Sequence, residues 1–322
     1  MAARNAKDAR NRIEDLSGLI LQPGENPYAA FIGACNNTCH EIQHLYDAHR
    51  TRRNKQQREL FQSPNFDGLK IDQHLLLLER PSIQPGFRDD RHCLTFWARP
   101  PNHLLALAAR IQDMLAQAAP NVWLMPTHRM HLTTLEVDFC KTPQEIASLV
   151  SALRPALPTL SSYTHSHRAR LVKPLISYDL SAFALSFLPA SHEPLLSPLA
   201  DGLDAEQGVI QGDSYTYHHL RRDMFDQVRS AHVDITSRYQ VPSAHITLGR
   251  YLDQSDHDST EKRQKWIDTI DRINSWLQTE IWDKLDAQFI GEWVVGHEKG
   301  LDVRCGTLWY GGGRTIMMGE GF

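Results

Sequence analysis

The chain has 322 residues, 41% hydrophobic and 22% charged, with a formal net charge of −4. That balance describes an ordinary globular protein with a full core, and the mildly acidic sum argues against a protein that coats long nucleic acid. Five cysteines without a Cys-x-x-Cys pair give no disulfide framework, and no apolar run nears the roughly eighteen residues of a membrane span. Asp8, Glu14 and Asp15 among the early arginines do not suit a transit peptide, so the expectation is a cytoplasmic protein with no membrane contact.

In chain order, residues 1–88 read as a helical N-terminal extension and linker. Apolar positions are sparse until Leu16, Leu19, Ile20 and Leu21, and Pro23, Gly24 and Pro27 then break the pattern. A helix is expected from Tyr28 to about Leu60, ending in the basic run Arg50, Arg52, Arg53, Lys55 and Arg58, a solvated face. Cys35, Cys39, His40 and His44 share helical spacing, which fits two small buried cysteines on a helix face better than a metal site. Residues 62–90 read as a linker around Leu75 to Leu78.

Residues 89–322 form the second unit. Cys93 to Trp97 reads as a strand, followed by a helix opened by Pro100-Pro101 with Leu104, Leu107, Ala108, Ile111 and Leu115 on one stripe. A strand carrying His131-Leu132-Thr133-Thr134 comes next, then a capping box, Thr142-Pro143-Gln144-Glu145, that starts another helix. Strands are expected at Leu171 to Tyr178 and Phe183 to Leu188, a loop insert at 190–213, and a helix from Tyr217 to about Tyr239. A second such strand carries His245-Ile246-Thr247-Leu248. Asp258-Ser259-Thr260-Glu261 then caps a long helix with Trp266, Ile267, Ile270, Ile273, Leu277, Ile281 and Leu285 on its buried side. The end reads as a hairpin of Phe289 to Val295 and Leu301 to Tyr310. Strand, helix, His-strand, helix thus occurs twice.

In a strand, residues two apart share a face. Each His-x-Thr therefore offers one imidazole and one hydroxyl together, with Leu132 or Ile246 turned to the core. An imidazole near pKa 6.5 serves as base or acid at neutral pH. Hydrolysis by in-line displacement needs both, one imidazole taking a proton from attacking water and the other giving one to the departing oxygen. Thr133 and Thr247 can donate hydrogen bonds to the non-bridging oxygens.

The two copies, His131-Leu132-Thr133-Thr134 and His245-Ile246-Thr247-Leu248, resemble the signature of the 2H phosphoesterase family over roughly the last three quarters of the chain. The resemblance implies an α+β fold, bilobal and duplicated, with two antiparallel sheets flanking a central cleft and helices outside. It also implies action on RNA ends and cyclic phosphates, usually without a metal. The expected activity is a cyclic phosphodiesterase on a 2′,3′-cyclic phosphate of a nucleotide or short RNA end, with His131, Thr133, His245 and Thr247 as the catalytic set. No cofactor and no metal ligand are expected; the partner is a small phosphorylated substrate or short RNA end, and oligomeric state is not readable. The same pair would also serve RNA 3′-end trimming, an isomerase or lyase on another metabolite, or a phosphate-binding module without turnover.

Weaker candidates surround this set. Arg129, on an unbroken strand, shares the His131 face and could hold phosphate. Tyr251 shares the parity of His245 and could stack on a base. Trp309 and Tyr310, before Gly311-Gly312-Gly313-Arg314, could edge the cleft as a mobile turn. His165 and His167 are assigned to polar loop, and His218 and His219 to a helix surface. A bell-shaped pH dependence with limbs on either side of neutrality follows from two ordinary imidazoles.

Overall fold

The computed structural model describes residues 21, 24–196, 213–236 and 242–322. The apolar positions Leu16, Leu19 and Ile20, most of the 190–213 insert and the expected helix end at 237–239 lie outside the described residues.

Two helices replace the single one expected from Tyr28. Helix α1 is Pro27–Ala34, begun by the Asn26 side chain accepting from Tyr28 N–H and Ala29 N–H. Helix α2 is Cys39–Gln62, capped by Thr38. The break falls where Asn36 and Asn37 take positive φ, a conformation asparagine tolerates better than most residues. Helix α3, Gln73–Glu79, is capped by Asp72.

The strands are β1 (His92–Ala98), β2 (Trp123–Leu124), β3 (Leu132–Lys141), β4 (Arg170–Tyr178), β5 (Ala182–Pro189), β6 (Ala244–Arg250), β7 (Trp293–Val294), β8 (Leu301–Gly306) and β9 (Arg314–Met318). They form one sheet in the order β7-β4-β5-β6-β3-β1-β8-β9, with β2 on β6, and every pairing is antiparallel. Between them run α4 (Asn102–Ala118), α5 (Pro143–Leu153), α6 (Leu157–Ser161), α7 (Tyr217–Ser230) and α8 (Thr260–Trp276).

The fold is α+β, but the expected pair of sheets is a single one. β3 meets β6 at the single Leu132↔Ile246 pair, and β2 adds Trp123↔Arg250 and Leu124↔Gly249 farther along β6. Leu132 and Ile246 are each 1% exposed, so the shared apolar core beneath them closes the seam. The expected terminal hairpin is also absent: β7 pairs with β4, while β8 lies between β1 and β9.

The capping box at Thr142 and Glu145 forms as expected. Leu104, Leu107, Ile111 and Leu115 of α4 are fully buried, each worth about 1.5–3 kcal/mol relative to exposure. Residues of α1 and α2, including Tyr28, Phe31, Ile42, Tyr46 and Phe61, belong to the same continuous core as the sheet. Leu285 departs from expectation: α8 ends in a π-turn at Leu277–Ile281, Asp283 takes positive φ, and Leu285 is left 82% exposed. His218 and His219 also depart, being buried in α7. His218 Nδ1 meets the Tyr46 hydroxyl at 2.8 Å and His219 closes a capping box with Thr216. No described helix is long and apolar enough to cross a membrane.

Candidate active site at the β3–β6 seam

Pairing Leu132 with Ile246 in antiparallel register sets His131 across from Thr247 and Thr133 across from His245. Leu132 and Ile246 face the core, so all four motif side chains lie on the opposite face, each partly exposed. The two histidines are diagonal neighbours, a relation that spans about 7–8 Å in an antiparallel pair.

Both motif strands bulge at the same place. On β3, Trp97 pairs with Thr133 and Phe96 with Leu135, leaving Thr134 outside the register. On β6, Ala184 pairs with Thr247 and Phe183 with Gly249, leaving Leu248 outside it in the same way. A bulge inverts the alternation beyond it. That inversion corrects the reading of Tyr251, which turns into the core at 1% exposure among Phe61, Phe183, His257 and Trp266. It has no path to a base in the cleft.

His131 stacks on Trp97, with ring centroids 3.6 Å apart and planes 13° from parallel. Its Nδ1–H donates to the Arg129 carbonyl at 2.9 Å, which leaves Nε2 as the acceptor of the neutral ring. Arg129 itself ends a 3₁₀ turn, Thr127–Arg129, so the unbroken strand assumed for it does not exist. Its contribution is that carbonyl, while the side chain is exposed. Behind it, a Cβ on Gly311 (φ +74°) would stand 2.5 Å from the Arg129 Cβ, so the glycine turn packs tightly against this loop.

Trp97 lies with Cys93 and Leu308, and with Phe139 and Trp309 against them, in a small apolar cluster separate from the main core. The guanidinium groups of Arg99 and Arg304 sit 5.0 and 5.1 Å from its ring. Arg99 donates from Nε to Asp302 at 2.9 Å and from Nη1 to the Met130 carbonyl at 3.2 Å. Trp309 therefore reaches the neighbourhood of His131 through Trp97. Tyr310, 7% exposed, accepts from Arg91 at 3.1 Å and meets Trp123 edge-on, so it is a packed support.

His245 has a different setting. Its Nδ1 and the Ser243 hydroxyl are 2.9 Å apart, a contact in which either atom can donate. Ser186, its cross-strand partner, is buried and bonds to the Leu175 carbonyl.

Burial lowers both imidazoles. For His131 the Arg129 carbonyl opposes that effect while Arg99, His245 and Arg304 add to it, and the pKa falls to about 3. For His245 burial is reinforced by Arg221 and Arg250 and opposed by Asp179, and the pKa falls to about 4. Both rings are therefore neutral at pH 7. An anion beside either ring favours its protonated form.

Trp97, Arg99, Arg304 and Ser243 escaped the sequence reading because their relevance depends on which strands pair. Among the described residues no group of three or more His, Cys, Asp or Glu is placed to hold a metal ion.

Comparison with known proteins finds no matching family model and no matching curated protein. Among solved structures the chain is similar to TT0787 of Thermus thermophilus, with 16% identity over 70% of this chain and 96% of that one and a TM-score of 0.38. It is also similar to Kluyveromyces marxianus Usb1, with 12% identity over 67% of this chain and 94% of that one and a TM-score of 0.34. At that level of likeness neither neighbour bears on what this chain does.

Proposed function

We propose that this chain is a phosphodiesterase of the 2H phosphoesterase kind. It would open a 2′,3′-cyclic phosphate, on a nucleotide or a short RNA end, with the His131/His245 pair. The observation that carries the reading is the Leu132↔Ile246 pairing, which sets two His-x-Thr motifs side by side on one face. The matching bulges after Thr133 and Thr247 support a duplicated origin for the two halves.

His131, with Nδ1–H committed to a carbonyl, suits the base: its Nε2 takes the proton from water as oxygen attacks phosphorus. His245, whose Ser243 partner accommodates either ring state, suits the acid and gives its proton to the leaving ribose oxygen. Thr133 and Thr247 donate to the non-bridging oxygens as charge builds there. Two imidazoles complete this proton traffic without a divalent ion.

The test is turnover of a 2′,3′-cyclic nucleotide by the purified protein beside its His131→Ala variant. Product carrying a 2′-phosphate, lost in the variant, is the expected result. Equal rates from two folded proteins would make the motif structural and overturn the reading.

A further inference from the structure

The bulge at Thr134 leaves its carbonyl outside the β1–β3 pairing register, immediately beside the catalytic Thr133. A buried carbonyl needs a donor, and α7 supplies it. Arg221 Nε donates to the Thr134 carbonyl at 3.2 Å, and one turn earlier the Tyr217 hydroxyl donates to the Thr133 carbonyl at 2.6 Å. Arg221 is fully buried. Its Nη2 donates to the Tyr28 hydroxyl of α1 at 3.1 Å, and its guanidinium lies 4.4 Å from the centre of the Tyr28 ring. Tyr28 in turn packs edge-on to His218 and Phe225 of α7.

A guanidinium taken wholly out of water is costly unless its contacts are good. Here it sits on the bulge next to Thr133, the residue directly across the seam from His245, and among the charged groups acting on His245 it leads. The others are Asp179 from the β4–β5 turn, Arg250 at the end of β6, and His131 across the seam; Glu136 of β3 acts on Tyr28.

We propose that Arg221, braced by Tyr28, is the positioning residue of the seam. It holds the bulge that aims Thr133 and keeps a fixed positive charge beside His245, which makes helix α1 part of the catalytic unit. This rests on the phosphodiesterase reading above. Resting His245 is thereby kept neutral until the substrate's own phosphate offsets the charge, and the same charge favours the transition state as negative charge grows on phosphorus.

The test uses the full chain with Arg221→Met, Arg221→Lys and Tyr28→Phe. It follows the His245 imidazole by NMR titration in the ligand-free protein, alongside kcat and KM on a cyclic nucleotide. Arg221→Met should move the His245 midpoint upward, because protonation no longer adds charge beside a cation, and should cost at least about tenfold in kcat with KM nearly unchanged. Arg221→Lys keeps the charge but loses the fork, so the midpoint should stay while kcat falls. Tyr28→Phe should lower kcat several-fold in a folded protein. An unmoved His245 midpoint in folded Arg221→Met overturns the proposal. So does wild-type kcat in Tyr28→Phe together with Arg221→Lys, which also decides the matter if Arg221→Met does not fold. Failure of the phosphodiesterase reading would show separately, as turnover indifferent to His131→Ala, while the titration still reports on Arg221.

Discussion

The two His-x-Thr motifs are near copies in sequence and unequal in structure. His131 is clamped, with an indole against its face, a backbone carbonyl on Nδ1, and the cations Arg99 and Arg304 nearby. His245 has a hydroxyl on Nδ1 and a mixed set of charges that includes Asp179. A carbonyl only accepts, so it locks one tautomer, whereas a hydroxyl can turn and serve either. On the proposed mechanism, near-identical motifs would thus take different proton-handling duties from their surroundings, the general way in which one kind of side chain plays both acid and base.

The sharpest way to break this comparison is to remove each ring. His131→Ala and His245→Ala should each cost at least about a hundredfold in rate, and the double variant should lose less than the product of the two. A fully multiplicative loss in the double variant would mean that the two rings act independently. Thr133→Ala and Thr247→Ala come next, at about 1.5–3 kcal/mol each for a hydrogen bond to a charged group, with the pH profile keeping its shape since neither hydroxyl titrates there.

The pH profile sharpens the comparison further and revises the expectation of limbs around neutrality. kcat/KM reports the free protein, in which burial and neighbouring cations hold the pair at about 3 and about 4. One ring must carry a proton, so kcat/KM should fall as pH rises through the higher value, about tenfold per unit. Those two values belong to the coupled pair. Bound phosphate raises both, so the kcat profile should lie at higher pH than the kcat/KM profile. Coincident profiles would contradict the phosphate effect, and a kcat/KM limb at or above neutrality would contradict burial as the cause of the depression.

Ser243→Ala is the smaller test of the asymmetry. Loss of one neutral hydrogen bond, about 0.5–1.5 kcal/mol, should slow turnover modestly, through kcat more than KM. The smallest expected effect is none: EDTA should leave the rate unchanged, and loss restored by zinc or manganese would overturn the two-imidazole mechanism.

Much of the local structure was legible in the sequence because local rules decide it. The capping box at Thr142, the stripe of α4 and the strand alternation that aims His131 with Thr133 each depend on residues a few positions apart. The same rules mislead where the local geometry changes. Strand parity puts Arg129 and Tyr251 on the cleft face, and a 3₁₀ turn and a bulge at Leu248 each interrupt that parity. His218 and His219 read as a polar helix surface and are buried because α1 and α2 close over α7.

By itself the sequence determined the four motif side chains and the face each pair shares, since a period of two is a property of the strand. Only the tertiary structure decided that the motifs meet. The pairing of β3 with β6 joins residues far apart in the chain, and with it come Trp97 against His131, Ser243 beside His245, and Arg221 reaching the bulge. Those contacts are set by register and by the shared core, which no local pattern encodes.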